Sequence, residues 1–321
     1  DVQWQAPHFE KMLYDNALLI TVIAEAYQIT QKPLYKTIIQ ETINFLDREL
    51  TNDGGVYYAA LDADSEGVEG KYYTWSYDEI KSIVDPTISE AFCNYFQISK
   101  EGNWEHTNIL WTQKDFMISE QAAFKQAKTI LQKERVKRIP PALDHKIILS
   151  WNNMMIVAFC KAYAALGDES YKQQALQAIE WIEKNMFNAD ENYFYHTSTN
   201  GLSKSCAFLE DYATLIQAYI HLQEITGNLD YLYKAKQWTE YVIANFSDED
   251  HVLFYFTPIY QKDLVVRKKE TYDGAQPSGN ALMSYHLIYL GNQFSNTEWS
   301  NRGQQMVGSM RKMLLQYPAS F

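Results

Sequence analysis

No stretch of about 18 uncharged apolar residues occurs in this 321-residue chain, which argues against a membrane-spanning helix. Positive charge is scarce. Lys and Arg number 28 against 40 Asp and Glu, a formal net charge of −12, whereas nucleic acid or an anionic membrane calls for a basic patch. The short basic run Lys133 to Arg138 (KERVKR) reads as a solvated helix end. Cysteine is rarer still: Cys93, Cys160 and Cys206 stand far apart with no C-x-x-C pair, so no disulfide framework is expected and a reducing, cytoplasmic setting is the default. There is no H-x-x-x-H pair and no Cys/His cluster, so neither a metal nor another cofactor is expected. The first residue is Asp1 rather than Met, in what already reads as the approach to a helix, so the chain is expected to be a fragment or a processed piece.

What is present is an interior. Apolar residues make up 46 % of the chain and aromatics 15 %, with 24 Tyr and 8 Trp. Flat side chains with a polar handle suit either a thick core or a cavity whose walls also hydrogen-bond.

Helical periodicity dominates, in two kinds of segment. Residues 16–27, 154–166, 212–222 and 281–290 are apolar nearly all round; residues 34–50, 171–186, 231–246 and 298–314 are charged on one side. The first kind must be enclosed by protein and the second faces water, so their alternation predicts inner and outer layers of helices built from αα-hairpins. Acidic turns leading into short aromatic runs follow the outer helices at 51–59, 189–196 and 247–256. The expected fold is all-α: an (α/α)-toroid, incomplete because the hairpins fall short of six, with short β-hairpins at one end. Residues 1–321 are taken as one domain, with an irregular segment or insertion at about 76–135 opened by a Ser76-x-x-Glu79 capping box.

Five blocks in order, PHFEKMLYDNALL, LDADSEGVEGKYYTWSYDEI, DHKIILSWNNMMI, FLEDYA and DGAQPSGNAL, run from Pro7 to about Leu282. Together they resemble the YyaL-type family, also called spermatogenesis-associated-protein-20-like. That resemblance implies an N-terminal thioredoxin-like domain joined to an (α/α)6-toroid of the six-hairpin glycosidase-like kind, of which this chain matches the toroid part. The thioredoxin-like domain of the same protein is then the implied partner. Two positions depart from the family pattern: His145 stands in Asp144-His145-Lys146 where a second Asp is usual, and Asn153 where Gly is usual.

The blocks lie at the starts of inner helices or in the loops before them, so their polar residues are expected to face a shared cavity. The first set is His8, Glu10, Tyr14, Asp15 and Asn16, the second Asp144, Lys146, Trp151 and Asn152. Glu210, Asp211 and Tyr212 form a third set, and Asp273, Ser278 and Asn280 a fourth. Asp15, Ser150 and Ser278 are each also candidates for ordinary N-caps. Asn16 and Asp211 fall past the first turn on apolar stripes, where capping explains less and a buried structural role competes with a site role. The acidic stretch DADSEGVEGK, with Asp62, Asp64, Glu66 and Glu69, imitates the opening of a calcium loop, but Tyr73 occupies the twelfth position where Glu is needed. It reads either as a solvated hairpin turn or as a loop supplying an acid or base. His196 and the other histidines outside the blocks read as structural or surface residues.

Paired carboxylates beside flat aromatics suit carbohydrate chemistry. The leading expectation is a carbohydrate-binding, glycoside hydrolase-like protein. Asp64, Glu66, Glu210, Asp211 and His8 are its candidate catalytic residues; Trp75 and the remaining members of the four sets, with Asp62, contact the substrate. Alternatives are a sugar epimerase or isomerase of the N-acylglucosamine 2-epimerase-like kind, and a non-catalytic ligand-binding module.

Overall fold

A computed structural model describes residues 5–262 and 265–318. In chain order its helices are α1 (Leu13–Thr30), α2 (Pro33–Glu49), α3 (Tyr77–Ile83), α4 (Pro86–Tyr95), α5 (Phe116–Ser119), α6 (Ala122–Arg135), α7 (Leu149–Leu166), α8 (Glu169–Asn185), α9 (Leu209–Thr226), α10 (Leu229–Phe246), α11 (Gly279–Gln293) and α12 (Thr297–Gln316). The chain divides into two compact units: an insert unit of residues 5–11 and Ala60–Asp144, and a hairpin unit of Met12–Ala59 and the described chain from His145 onward. The segment expected to be irregular at 76–135 falls inside the insert unit, which is wider.

In the hairpin unit the inner helices α1, α7, α9 and α11 pack side by side in that order, with α2, α8, α10 and α12 each laid on the inner helix before it. The outer helices earn their place through one buried stripe, such as Ile39, Ile43 and Leu46 of α2, spaced four and three apart. Each such side chain contributes about 1.5–3 kcal/mol on leaving water. Helices α7 and α9, flanked on both sides, bury nearly every residue of their first three turns. At the ends of the row, α1 leaves Leu19 and Val22 exposed and α11 leaves Tyr285 exposed, so being apolar all round did not enclose those two helices among the described residues.

The aromatic run Tyr193–Thr199 is a strand pairing antiparallel with Leu202–Cys206 (Tyr195 opposite Cys206) and with Ile147–Ile148 (Ile148 opposite Thr197). This brings the entry to α7 against the entry to α9. The insert unit has its own core around Phe92, Phe96, Phe124 and Leu131, under α3, α4 and α6. Its α3 opens with the expected capping box: Ser76 Oγ accepts from Glu79 N at 3.1 Å, and Glu79 Oε2 from Ser76 N at 2.9 Å. One expectation is overturned here. Arg138 of the basic run is no solvated end, because its guanidinium donates to the carbonyls of Tyr72 and Thr74 and lies 3.9 Å over the Trp75 ring.

Candidate functional site

Within the hairpin unit the leading ends of the inner helices meet. Tyr14 of α1 stands edge-on to Trp151 of α7, ring centres 4.9 Å apart. A Cβ added to Gly279 at the start of α11 would lie 2.8 Å from Leu209 Cγ and 3.0 Å from Glu210 N, so the ends of α11 and α9 are nearly in backbone contact. Asp211 joins the starts of α7 and α9.

That carboxylate is fully buried, and its oxygens are committed. Oδ1 accepts the Ser150 N–H at 3.0 Å; Oδ2 accepts the Phe208 N–H at 2.9 Å and lies 2.8 Å from His196 Nδ1. Asp211 therefore caps the neighbouring helix α7 as well as its own, which corrects the expectation that Ser150 is a cap: the side-chain cap is supplied from α9, and the Ser150 hydroxyl is buried without a partner. With two N–H groups already directed at it, Asp211 receives a hydrogen from Nδ1, leaving His196 Nε2 as the atom able to exchange protons.

His196, whose sequence context suggests a structural or surface residue, stands against the buried Asp211 carboxylate. Phe194, His196 and Ser198 share one face of their strand; Phe194 and Ser198 are buried, and the His196 ring tilts against Phe208 at 4.8 Å. The period-2 alternation of YFYHTST was the available signal. Burial works to lower the His196 pKa, but the hydrogen bond and charge of Asp211, helped by Glu210, hold it above the ordinary imidazole value.

Glu210 is half-buried beside this pair. Burial first, and then the charge of Asp211, push its pKa up to about 7, with His196 opposing and Glu270 adding to the rise. A carboxylic acid pushed toward neutrality, within electrostatic reach of an imidazole held by a buried carboxylate, offers an acid and a base in one region.

The other residues singled out in the sequence divide between scaffold and surface. Asn152 Oδ1 accepts Tyr57 N at 2.8 Å and its Nδ2 donates to Tyr57 O; Asn280 does the same to Phe254, at 2.8 and 3.0 Å, and also donates to Glu270 O. Tyr212 is buried, its hydroxyl accepts Phe194 N at 3.1 Å and its ring stacks on Trp238. Asn16 donates to Met12 O one turn back, and Asp15 is an exposed first-turn residue rather than a cap, since Met12 holds the N-cap position of α1 and supplies no side-chain cap. Ser278 does cap α11 through Ala281 N, and Asp273 Oδ1 accepts Ser278 N at 2.7 Å. Lys146 is exposed.

His8, Glu10, Asp62, Asp64, Glu66, Trp75 and Asp144 belong to the insert unit. His8, Glu10, Asp62, Asp64 and Glu66 are exposed, Trp75 is buried beneath Arg138, and Asp144 pairs with Ala60 across two short strands. Asp64–Ser65 and Val68–Glu69 form the tight hairpin that the acidic stretch allowed, with Glu66 ion-paired to Lys71 at 2.8 Å. Of the candidate catalytic carboxylates, Asp64 and Glu66 thus belong to the insert unit, and Glu210 and Asp211 to the hairpin unit. No helix among the described residues is long and apolar enough to cross a membrane.

No family model matches the chain. Spermatogenesis-associated protein 20 from Mus musculus is 25 % identical over 371 residues, covering 100 % of this chain and 46 % of the relative. An uncharacterized Caenorhabditis elegans protein is 27 % identical over 344 residues, covering 94 % and 47 %. The chain spans about half the length of these curated relatives. Among solved structures, a sugar epimerase from a ruminal bacterium superposes with a TM-score of 0.58 at 11 % identity, over 92 % of this chain and 58 % of that one. The unsaturated glucuronyl hydrolase of Bacillus sp. GL1 gives 0.53 at 13 % identity, over 93 % and 62 %. Likeness at such identity is a statement about fold. The chain is similar along its whole length to spermatogenesis-associated protein 20 and has the (α/α)-toroid fold seen in the sugar epimerase and the glucuronyl hydrolase.

Proposed function

We propose that this chain processes carbohydrate by proton transfer, with His196 and Glu210 as the acid–base pair and Asp211 as the residue that positions His196. The observation that carries this is the Nδ1 contact of His196 with a fully buried carboxylate at 2.8 Å, next to a glutamate whose pKa is pushed up to about 7. Isomerisation or epimerisation of a reducing sugar needs a base at the carbon beside the carbonyl and an acid at the carbonyl oxygen. His196 Nε2 suits the first task and protonated Glu210 the second. Trp151 and Tyr14 offer flat faces at the neighbouring helix start, where a sugar ring can stack. The epimerase and hydrolase on the same fold act on sugars, which favours this substrate class without fixing the sugar.

Glycoside hydrolysis is the second reading. It is favoured by Glu270, whose charge acts on Glu210 and which would serve as the second carboxylate in place of Asp211. Asp211 itself is buried, with both oxygens spent.

The test is incubation with reducing sugars and oligosaccharides in heavy water, followed by NMR. Deuterium appearing at the carbon beside the carbonyl supports isomerisation, and new reducing ends without exchange support hydrolysis. Either activity should fall by a factor of about 10²–10⁴ in Glu210→Gln. Activity untouched by both Glu210→Gln and His196→Gln, or binding without turnover, overturns the assignment.

A further inference from the structure

The four inner helices of the hairpin unit share a register. Asn16, Asn152 and Tyr212 are each the fourth residue of their helix, α1, α7 and α9. Asn280 takes the same place in α11, since it brackets Phe254 as Asn152 brackets Tyr57.

Counted from these residues, one flank of each helix faces its predecessor in the row. Three and six places on, Met155 and Ala158 of α7, Leu215 and Ala218 of α9, and Met283 and His286 of α11 are all buried. In α1 the same two places hold Leu19 and Val22, which are 55 % and 56 % exposed. The other flank faces the successor. One place on, Ala17, Asn153 and Ala213 are buried in α1, α7 and α9, whereas Ala281 of α11 is exposed, as is Tyr285 one turn later. Inside the row the two flanks meet: His286 Nε2 of α11 is 3.0 Å from Ala213 O of α9.

The outer helices show the same open end. The stripe that buries Ile43, Leu46 and Leu50 on α2, and Ile179, Ile182 and Met186 on α8, recurs on α12 as Val307, Met310 and Leu314. There Val307 is 47 % exposed, and all three line an apolar groove of about 190 Å³ beside the start of α11. A stack of repeats that ends in solution closes with a polar face. Among the described residues neither end of this row does so. The α1 end and the α11–α12 end instead expose the two halves of the contact that joins α9 to α11.

We infer that a second copy of this chain docks head to tail on the hairpin unit, its α1 lying beside α11 as the next helix of the inner row. Leu19 and Val22 of one copy then cover Ala281 and Tyr285 of the other. The occupant is a copy of the chain because the neighbour that each end lacks has the register of a helix present at the opposite end. The contact is heterologous, so each pair keeps one head and one tail for further copies unless the ring closes.

Analytical ultracentrifugation of the whole chain, up to about 100 μM, tests this. The unsubstituted chain is expected to associate as concentration rises. Leu19→Asp and Tyr285→Asp each place a charge on an exposed position at one end, and each variant alone should be monomeric. An equal mixture of the two should form a heterodimer and nothing larger, because one supplies an intact tail and the other an intact head. An isologous dimer has no such rescue. Val22→Asp and Ala281→Asp are the second pair if either first variant loses its helical circular dichroism. Three results each overturn the inference: an unsubstituted chain that stays monomeric and so leaves these faces to a different partner, association unchanged in both variants, or a mixture that remains monomeric.

Discussion

Asn152 closes a two-way bracket on the backbone of Tyr57, 95 positions earlier in the chain, accepting its N–H at 2.8 Å and donating to its carbonyl at 3.0 Å. Asn280 repeats the bracket on Phe254, and the Tyr212 hydroxyl accepts the N–H of Phe194. In each case the start of an inner helix holds the aromatic run that follows the preceding outer helix.

Removing the bracket leaves a buried N–H and C=O unpaired, each costing about 1–3 kcal/mol. Asn152→Ala and Asn280→Ala are therefore expected to lose about 2–4 kcal/mol of stability in urea unfolding. Asn152→Asp keeps the acceptor and should cost less, provided the pH is low enough to keep the new carboxyl neutral.

Stability should depend on pH through Glu210. Its folded pKa, about 7, is above its ordinary value of 4.5, so the folded state holds a proton that the unfolded state releases. Between those two values stability falls as pH rises, by at most about 3 kcal/mol. His196, also raised, contributes stability present below its ordinary value of 6.5 and lost as pH passes its folded value, so the two act in the same direction. Glu210→Gln removes the first cost. It should raise the melting temperature more at pH 8 than at pH 5, and an equal shift at both would show that burial does not strain the carboxylate.

Asp211→Asn keeps the side-chain shape but removes the charge that holds the imidazole of His196 above its ordinary pKa. Burial then dominates, and the His196 titration seen by NMR should move below the ordinary imidazole value. The loss of charge-assisted bonds to Ser150 N and Phe208 N should cost about 2–4 kcal/mol besides.

Gly279 permits the close approach of α11 to α9. Its backbone lies outside the left-handed region, so the constraint is space alone: a methyl group would meet Leu209 and the Glu210 amide at 2.8–3.0 Å. Gly279→Ala should destabilise the fold by about 1–3 kcal/mol in thermal unfolding. It should also impair any Glu210-dependent turnover more than Gly308→Ala, a position where a Cβ meets nothing within 4 Å.

Much of the hairpin unit was legible without coordinates. The apolar segments 16–27, 154–166, 212–222 and 281–290 fall inside α1, α7, α9 and α11, because apolar period and breakers are local properties of the chain. Asp211 stood out for the same reason: a carboxylate on an apolar stripe conflicts with its surroundings, and that conflict is visible in six residues. Asn152 and Asn280 stood out as well, but sequence could not distinguish a side chain facing a cavity from one spent on a distant backbone.

By itself, the order of residues determined the periodicity of the helices, their layering and the positions of their polar first turns, all of which depend on neighbours a few places apart. Only the tertiary structure decided that Asp211 orients His196, that the acidic hairpin Asp64–Glu69 belongs with the insert unit, and that Arg138 is a half-buried strut. Those outcomes depend on which distant segments meet, and burial and partner charges set the pKa of each group only once they have met.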